Sequence, residues 1–518
     1  MSGLRIGLVC PYSFDRPGGV QNHVLGLAEA LQGLGHRPAV LAPGDLPALD
    51  PELDFTSAGP ALPVPYNGSV ARVSFGPVTA GRVRRWLRDG DFDLVHLHEP
   101  ITPSISLQAL RLTEVPVVAT HHTATPRSRT MQVAGDALRR LIEKIDAGIA
   151  VSEPARDVVV RHLGRDPLVI PNGFDHVSFR STLPSVVRPG PWRGGDRPRI
   201  TFLGRLDEPR KGLSVLLAAL PAIRAAVGDL EVCLAGHGAP PARSALGSDC
   251  RVLGGVDETT KRALLAGTDV FVAPQVARES FGIVVLEALA AGAEVVASDL
   301  PAFVDLLGVA DGAPLGGIFR RGDPGALAHA VVAVLRDGER RQPGAGRRSL
   351  RYDWSRVAPE IEQVYLAVAG RPGDGGPARD RPARDRPARD RPDRDRPARD
   401  RPDRVRRTWT ALDDALIRRA RRAIEVSGPD PRDPSADGVH RAARAALAAA
   451  ADDVPQPHRE WAESDLSRRL ARADLAELRV DRDRAALARR LHNDAVAASV
   501  RTRRPGVAGM RAFEMAES

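Results

Sequence analysis

The chain has few cysteines and no long apolar segment. Cys10, Cys233 and Cys250 are odd in number and lack the spacing of a metal site, so the sequence indicates a reducing compartment rather than a disulfide framework. No run reaches the roughly 20 apolar residues that a membrane-spanning helix needs. The first apolar run, residues 6–10, is too short for a signal peptide. These absences predict a cytoplasmic chain whose contact with a membrane is peripheral.

Lysine is as scarce as cysteine, since Lys144, Lys211 and Lys261 are the only three in 518 residues. The net charge of +9 comes from arginine and lies almost wholly beyond residue 370, where 34 arginines face 26 acidic residues. Residues 377–404 repeat proline, arginine and aspartate with no larger apolar side chain, which predicts an extended, disordered linker. Because each repeat carries aspartate and no aromatic residue is interleaved, nucleic-acid binding is not favoured.

Strands and helices alternate through the first 350 residues. An apolar strand at residues 4–10 leads through a loop with Gly18 and Gly19 into an amphipathic helix at about 20–33 and a second strand at 39–41, which makes a βαβ unit. Further apolar strands are predicted at 94–97, 115–120, 148–151, 168–170 and 269–274. The pattern restarts after a proline- and glycine-rich connection at 184–198, with further strands predicted in RITFLG, LEVCLAGHG, RVLGGVD and EVVASD. The sequence therefore predicts an α/β protein with two Rossmann-like domains facing one cleft.

Residues 279–292, ESFGIVVLEALAAG, predict a ligand loop that runs directly into a helix. The helix is expected to begin at about Ser280 and to end at Gly292. Glu279 then stands at its amino end, where the dipole and free N–H groups favour anions. Glu287 returns to the same side of the helix, because eight residues at about 100° each nearly complete whole turns. Two carboxylates facing one cleft suit a ligand with hydroxyls and phosphates. The alternative is one glutamate in the first turn of the helix and another on a solvated face.

Two other loops follow predicted strands and carry chemistry. In GRLDEPRKG, Arg205 follows a strand and Lys211 stands at a helix start, so both can stabilise the charge of a leaving diphosphate. In ATHHT, His122 lies at the carboxyl end of a strand, where α/β proteins place their sites. The alternatives are a solvated basic loop and a histidine packed at a strand end.

Six motifs occur in order between Leu4 and Val368: CPYSFDRPGGVQNH, VPYNGSVARVSFGP, HLHEP, ATHHT, FLGRLDEPRKG and ESFGIVVLEALAAG. Together they resemble the phosphatidylinositol α-mannosyltransferases of actinobacteria, which are retaining glycosyltransferases with the GT-B fold. The resemblance implies transfer of mannose from GDP-mannose to the inositol ring of phosphatidylinositol, the first step of phosphatidylinositol mannoside synthesis.

The resemblance also implies a donor site in which Glu279 binds the mannose hydroxyls and Glu287 the ribose. The residues implied to hold the donor phosphates are Gly19, Arg205, Arg210 and Lys211. The further donor residues are Val256, Asp257, Lys261, Ser280, Phe281, Gly282 and Ile283.

For catalysis the resemblance implies His122 beside the anomeric carbon, together with Glu279. The implied reaction is a same-face substitution in which the departing phosphate helps to deprotonate the acceptor hydroxyl. No metal site and no tightly bound cofactor are implied, and Mg²⁺ would at most stimulate the reaction. His121, Ala277 and Arg278 depart from the residues usual in the family.

The acceptor side has headgroup and membrane candidates. The positions that match the contacts of the inositol phosphate headgroup in the family are Tyr12, Gln21, Tyr66, Asn67 and Arg72. The segment 79–88, TAGRVRRWLR, predicts a basic interfacial helix on the anionic inner face of the cell membrane. Its membrane-binding residues would be Arg82, Arg84, Arg85, Trp86 and Arg88. An ordinary surface helix has a similar pattern.

Five segments divide the chain. The predicted boundaries are an acceptor and membrane domain at 1–178, a nucleotide-sugar domain at 179–352, a helix crossing back to the first domain at 353–370, the linker at 371–405 and a helical interaction module at 406–518. The module is predicted to form a small antiparallel bundle or a coiled-coil pair. A partner or an assembly contact is expected through its leucines Leu466, Leu470, Leu478, Leu487 and Leu491. Two alternatives remain: a related enzyme with another nucleotide sugar or an inositol phosphate acceptor, and a catalytically silent scaffold.

Overall fold

The computed structural model describes most of the first 369 residues and part of the tail. The described residues are 3–15, 18–45, 53–66, 69–123, 141–180, 192, 197–242, 246–277, 279–308, 315–336, 349–369, 412–413, 415–417, 419–426, 434–450, 456–473, 485–494 and 496. The predicted linker, Asn67, Arg278 and Leu478 lie outside these residues.

The first half of the chain forms a sheet of seven parallel strands and a separate two-stranded hairpin. In chain order the strands are β1 (Arg5–Val9), β2 (Arg37–Ala42), β3 (Asp54–Ser57), the hairpin β4 (Leu62–Tyr66) and β5 (Ser69–Val73), then β6 (Leu94–His98), β7 (Val117–His121), β8 (Ala147–Ala150) and β9 (Leu168–Val169). The sheet order is β3-β2-β1-β6-β7-β8-β9. The order reverses between β1 and β6, and ligands of such sheets bind beyond the carboxyl ends of the strands at that point.

The second half repeats this architecture with six parallel strands. They are β10 (Arg199–Leu203), β11 (Glu231–Ala235), β12 (Cys250–Gly254), β13 (Val270–Ala273), β14 (Glu294–Ser298) and β15 (Gly317–Phe319). The order is β12-β11-β10-β13-β14-β15, with the reversal between β10 and β13. The strands that the sequence predicts are confirmed to within two residues at each end. The hairpin, β3 and β15 are present in the structure but are not predicted from the sequence.

Helices cover the faces of both sheets, with short 3₁₀ turns at Pro209–Lys211 and Leu350–Tyr352. In the two halves the helices are α1 (Gly19–Gly33), α2 (Pro77–Asp89), α3 (Ile105–Leu112), α4 (Glu153–Leu163), α5 (His176–Phe179), α6 (Leu213–Val227), α7 (Glu258–Ala266), α8 (Ile283–Ala290), α9 (Pro301–Leu307), α10 (Pro324–Arg336) and α11 (Trp354–Ala369). In the tail they are α12 (Pro434–Ala449) and α13 (Gln456–Ala473).

Helix α8 begins later than the sequence predicts. Gly282 precedes it with φ of +94°, and a Cβ there would lie 2.7 Å from the ring of Phe303. This left-handed residue breaks the helical run, so Glu279 lies on the preceding loop rather than directly before the first residue of the helix. The expected start at Ser280 is therefore wrong, although the loop still leads into the helix.

Helix α11 connects the two halves, where the sequence predicts a crossing helix. Its residues Val364 and Tyr365 are buried in the same cluster as Leu8 of the first sheet. The Tyr365 hydroxyl lies 2.7 Å from His96 Nδ1 on β6. The halves also meet directly, because Ser152 Oγ donates a hydrogen bond to the carbonyl of Ser280 at 2.7 Å.

The tail helices pack against one another around small apolar side chains. Leu466 and Leu470 are buried with alanines of α12 and of the helical residues 419–426. Arg419 is also buried, where it pairs with Glu463 and donates to Ser467 Oγ at 2.9 Å. Leu466 and Leu470 therefore form a core, as the predicted small bundle requires, and a partner contact through the tail stays a prediction.

The last described helical segment, residues 485–494, docks on the first half of the chain. Leu491 is buried in the cluster that contains Leu8 and Tyr365, and Leu487 packs against it. Arg165 donates to both carboxylate oxygens of Asp494, at 3.2 Å from Nε and 2.5 Å from Nη2. This intramolecular contact corrects the prediction of a tail that is connected to the two domains by a linker alone.

Within the described part of the chain, no helix combines the length and the apolar character that crossing a bilayer requires.

Candidate active site

Several of the predicted site residues lie in segments that follow the carboxyl ends of strands. In the first half these segments follow β1 and β7: Tyr12 and His122 lie on them, and Gly19 begins α1 where the first of them ends. In the second half they follow β10 and β13 and carry Lys211 and Glu279. These loops stand at or next to the reversals of strand order, which is where ligands of doubly wound sheets bind.

Each glutamate of the E-x7-E pair is bonded to a lysine. Lys211 Nζ donates to Glu279 Oε2 at 2.9 Å, and Lys261 Nζ donates to Glu287 Oε1 at 2.8 Å. All four side chains are largely buried. Burial acts to raise the pKa of Glu279, but the charge and hydrogen bond of Lys211 outweigh it, so this pKa is lowered. Glu279 is therefore held as a carboxylate.

The second pair leaves one oxygen available for a ligand. Burial acts to lower the pKa of Lys261, but the nearby Glu287 and Glu258 outweigh it and raise this pKa. Glu287 Oε2 is buried and has no hydrogen-bond partner among the described residues. An unpaired buried oxygen is costly unless a partner arrives. The geometry therefore suits a ligand hydroxyl at Oε2.

Gly212 fixes the basic loop against the loop that follows β13. Its φ is +73°, and a Cβ there would lie 1.8 Å from the carbonyl oxygen of Pro274, so only glycine fits. The amide of Val276 donates to the carbonyl of Arg210 at 2.9 Å. This contact brings Arg210 and Lys211 beside the segment that leads to Glu279.

The two arginines of this loop differ in their exposure. Arg210 is partly buried and pairs with Glu208. Arg205 is more exposed and lies 3.4 Å from Asp207. Both guanidinium groups stand next to acidic partners of their own loop, so an arriving diphosphate competes with these carboxylates.

The amides predicted to bind phosphate are partly engaged. The amide of Ser280 is hydrogen-bonded to the Glu279 carboxylate. Phe281 is buried with its ring edge-on to Tyr352 at 5.6 Å. The amides of Gly282 and Ile283 stand at the start of α8, where a helix leaves its first N–H groups without helical partners. They are better candidates than Ser280 for donors to an anion.

Other donor candidates have local structural functions. Asp257 caps α7 by accepting from the amide of Thr260 at 2.7 Å, and Val256 packs against a small apolar cluster. A Cβ added to Gly19 would meet no described atom within 4 Å. The start of α1 is thus open enough for a ligand to approach the backbone.

His122 is held at the end of β7 by its neighbours. Its amide donates to Glu99 Oε1 at 2.7 Å, and Thr123 Oγ1 donates to the same oxygen at 2.8 Å. Its Nε2 lies 2.9 Å from His98 Nδ1. Burial, followed by the neighbouring His23, keeps the pKa of His122 well below its ordinary value. His122 is therefore neutral near neutral pH.

The sequence did not predict Glu99, His98 or His23 as site residues. Glu99 has a positive φ of +50° and is buried, which is unusual for a residue with a side chain. His23 lies on α1 with its ring centroid 5.0 Å from that of His122. Only the pairing of β1, β6 and β7 brings these three segments together, although His98 and Glu99 belong to the motif HLHEP.

The acceptor candidates share one corner of the first half. Tyr12 bridges to Val73 of β5, and the amide of Ser13 donates to the carbonyl of Arg72 at 2.9 Å. Gln21 Nε2 donates to the Ser13 carbonyl at 3.0 Å. Arg72 Nε is buried without a partner in the described structure. The backbone of Tyr66 ends β4 on the same hairpin, whereas its side chain and Asn67 lie outside the described residues.

Helix α2 exposes its arginines and buries its tryptophan. The exposed basic residues are Arg82, Arg84, Arg85 and Arg88. Trp86 is only 8% exposed and packs against Phe92 with ring centroids 4.4 Å apart. The expectation that Trp86 sits at a lipid surface is wrong, because this ring fills the core opposite Gly7. Phe75 and Val78 are instead 50% and 70% exposed at the amino end of α2.

Two family profiles match the two halves. The profile described as Glycosyltransferase Family 4 matches residues 17–177, and that described as Glycosyl transferases group 1 matches residues 197–337.

Curated relatives match nearly over their whole length. Proteins named phosphatidyl-myo-inositol mannosyltransferase are 48% identical in Propionibacterium freudenreichii and in Mycobacterium leprae, each match covering 71% of this chain and 96% or 97% of the relative. The Mycobacterium tuberculosis relative is 47% identical, and the match covers 98% of it.

Solved structures agree on the fold. A glycosyltransferase from Rickettsia africae is 16% identical with a TM-score of 0.56, and the match covers 71% of this chain and 99% of that one. Sucrose-phosphate synthase from Thermosynechococcus elongatus is 19% identical with a TM-score of 0.52, and the match covers 70% of this chain and 98% of that one. The predicted GT-B fold with two Rossmann-like domains is confirmed.

Proposed function

The chain belongs to the phosphatidyl-myo-inositol mannosyltransferase family of actinobacteria, and we propose that it transfers mannose from GDP-mannose to the inositol ring of phosphatidylinositol. This would be the first step of phosphatidylinositol mannoside synthesis. The observation that carries the proposal is the pair of buried lysine–glutamate contacts in the second domain. They provide both cations and carboxylates beyond the carboxyl ends of one sheet.

Lys211 and the two arginines of its loop bind the diphosphate in this proposal. Negative charge grows on the leaving GDP in the transition state, so cations fixed there stabilise the transition state more than the ground state. Glu279, ionised beside Lys211, accepts hydrogen bonds from mannose hydroxyls. Glu287 Oε2 accepts from a ribose hydroxyl, and Lys261 holds the other oxygen of this carboxylate.

We propose that the reaction retains the anomeric configuration by substitution on one face of the sugar. His122 is neutral and lies beside the anomeric carbon, where its position is fixed by Glu99 through the backbone. Glu99 Oε1 already accepts two hydrogen bonds from the His122–Thr123 segment, so this carboxylate orients the loop rather than acting as a nucleophile. The departing phosphate takes the proton of the acceptor hydroxyl. The chemistry needs no tightly bound cofactor, and Mg²⁺ at most stimulates it.

The acceptor headgroup binds in the corner formed by the β1 loop, the start of α1 and the hairpin. Arg72 provides a buried nitrogen without a described partner for the inositol phosphate. Tyr12 and Gln21 line the same corner, and Tyr66 and Asn67 complete it in this proposal. The exposed arginines of α2 hold this corner against the anionic inner face of the membrane, with Phe75 and Val78 as the apolar contact in place of Trp86.

The test is transfer of labelled sugar from a panel of nucleotide sugars to lipid. The full chain is assayed with GDP-mannose, GDP-glucose, UDP-glucose and ADP-glucose, each with phosphatidylinositol vesicles, phosphatidylcholine vesicles or soluble inositol phosphate. We expect transfer only with GDP-mannose and phosphatidylinositol, with retention at the new bond. Transfer from another nucleotide sugar, or to soluble inositol phosphate alone, would instead support the related enzyme considered from the sequence.

A further inference from the structure

Three buried histidines converge from three separate segments of the first domain. His23 lies on α1, His98 ends β6, and His122 follows β7. One ring nitrogen from each can be chosen so that all three lie within 4.8 Å of one another. The ring centroid of His23 lies 5.4 Å from that of His98 and 5.0 Å from that of His122.

The cluster leaves buried nitrogens without partners in the described structure. Neither Nδ1 nor Nε2 of His23 is hydrogen-bonded, and Nε2 of His98 is also unpaired. By contrast, the nearby His96 bonds through both nitrogens, to Tyr365 and to Thr120, each at 2.7 Å. Buried polar atoms are nearly always satisfied, so unpaired nitrogens that share one space indicate a missing partner.

We propose that His23, His98 and His122 form a site for one transition-metal ion of the Zn²⁺ class. Neutral imidazole is a preferred ligand of Zn²⁺, Co²⁺, Ni²⁺ and Cu²⁺, whereas Mg²⁺ and Ca²⁺ prefer oxygen. Three histidines leave one tetrahedral position for a water molecule or a ligand oxygen. No carboxylate oxygen belongs to the described group, which excludes the oxygen-binding cations.

The charge state of the cluster agrees with this assignment. Burial lowers the pKa of His23 to about 3 and keeps that of His98 well below its ordinary value. The rings are therefore neutral and have lone pairs available at neutral pH, as metal binding requires. Three protonated imidazole rings in this space would repel one another. Three neutral rings can instead bind a single metal ion without that repulsion.

The ion regulates the enzyme rather than assisting it. Binding of the metal ion at His122 Nε2 competes with the 2.9 Å contact between this nitrogen and His98 Nδ1. The His122 ring is then no longer available to the sugar. This consequence rests on the proposed function, whereas the metal site itself does not. Zn²⁺ is then an inhibitor of mannose transfer, and a chelator reverses the inhibition.

Metal binding is measured on the full chain without donor or acceptor, so that a failure of the proposed function leaves the result intact. The chelator-treated protein is titrated with ZnCl₂ by calorimetry and with CoCl₂ by visible absorption. We expect one ion per chain and the intense Co²⁺ absorption of a tetrahedral nitrogen site. His23→Gln and His98→Gln should each weaken binding by more than the roughly 10–100-fold that loss of an outer-shell partner costs.

The matched control is His329→Gln, which removes an exposed histidine of α10 by the same substitution. It should leave binding unchanged, and circular dichroism verifies that each variant is folded. Absence of saturable binding to the wild type overturns the site, as does wild-type affinity in both cluster variants. Loss of binding in His329→Gln would assign the ion to surface histidines and would also overturn it.

Discussion

At the scale of single residues, the second domain combines opposite charges that a ligand can rearrange. Lys211 lowers the pKa of Glu279 although both are largely buried, whereas burial outweighs the charge and hydrogen bond of Lys261 and raises the pKa of Glu287. A buried ion pair contributes little net stability, because desolvation offsets the attraction. Two such pairs beyond the ends of one sheet are therefore better explained by ligand binding than by folding.

Replacing Lys211 by methionine tests the assignment of the diphosphate. The variant loses one cation that acts on the leaving group, so kcat/KM should fall by roughly 100-fold or more, as loss of one transition-state contact typically does. Lys144→Met is the matched control, because Lys144 donates to the carbonyls of Arg111 and Thr113, far from the E-x7-E pair in the fold. A rate for Lys211→Met equal to that of the control would contradict the assignment.

The Glu279 carboxylate should also affect stability at acid pH. Its pKa in the fold lies below the ordinary value of 4.5, so its favourable contribution is complete above about that pH and is lost as the pH falls through the lowered value. Glu279→Gln cannot lose a proton, so the difference in unfolding free energy between wild type and variant should shrink on acidification. Urea unfolding at several pH values measures it, and a difference independent of pH would contradict the ionised carboxylate.

At the scale of elements, the fold was predictable where local pattern decides the structure. Buried parallel strands are nearly continuous apolar runs, and β1 and β13 are visible as such in the sequence. The start of α8 was not predictable, because the space beside Gly282 is filled by Phe303 from α9. The histidine cluster was hidden for a similar reason, since only tertiary pairing unites its three segments.

Helix α2 shows the same limit within one element. The spacing of its arginines correctly predicts an exposed basic face. Trp86 shares the segment, but its environment depends on Gly7 and Phe92, which are distant in sequence. Periodicity alone does not distinguish a tryptophan at a membrane from one in a core. The structure therefore divides the helix into a basic exposed face and a packed ring.

A variant in which serine replaces the four exposed arginines of α2 should no longer sediment with anionic vesicles, and its affinity for GDP should be unchanged. The replaced residues are Arg82, Arg84, Arg85 and Arg88. Each arginine near an anionic surface contributes about 1 kcal/mol. Phe75→Ser combined with Val78→Ser should weaken vesicle binding as well, without loss of fold, because both side chains are exposed.

Trp86→Ala should behave differently from these variants. It removes a buried ring and should reduce the unfolding free energy by about 3–5 kcal/mol. Vesicle sedimentation, GDP titration and denaturant unfolding distinguish the arginine variant, the Phe75 and Val78 variant, and Trp86→Ala. Full vesicle binding by the serine variants would remove α2 from the membrane contact.

At the scale of the whole molecule, the tail is more closely integrated than its linker suggests. The curated relatives match 71% of the chain, so the bundle is an addition to the part that they share. Its last helical segment nevertheless covers the face of the first domain on which α11 lies, through Leu491. The sequence could not show this contact, because leucines at helical spacing fit a partner protein, a bundle core and an intramolecular surface equally well.

Asp494→Asn in the full chain measures how strongly the tail docks. The side chains of Arg165 and Asp494 are 10% and 9% exposed, so the substitution leaves a largely buried guanidinium without its carboxylate and should cost about 3–5 kcal/mol. Asp465→Asn is the matched control: it removes the partner of Arg469 within α13, an exposed pair worth less than about 1 kcal/mol. A chain ending at residue 370 should likewise unfold at lower denaturant than the full chain, because the apolar surface under Leu491 is uncovered. If Asp494→Asn and Asp465→Asn prove equally mild, and the shortened chain is as stable as the full one, the tail is independent of the catalytic domains.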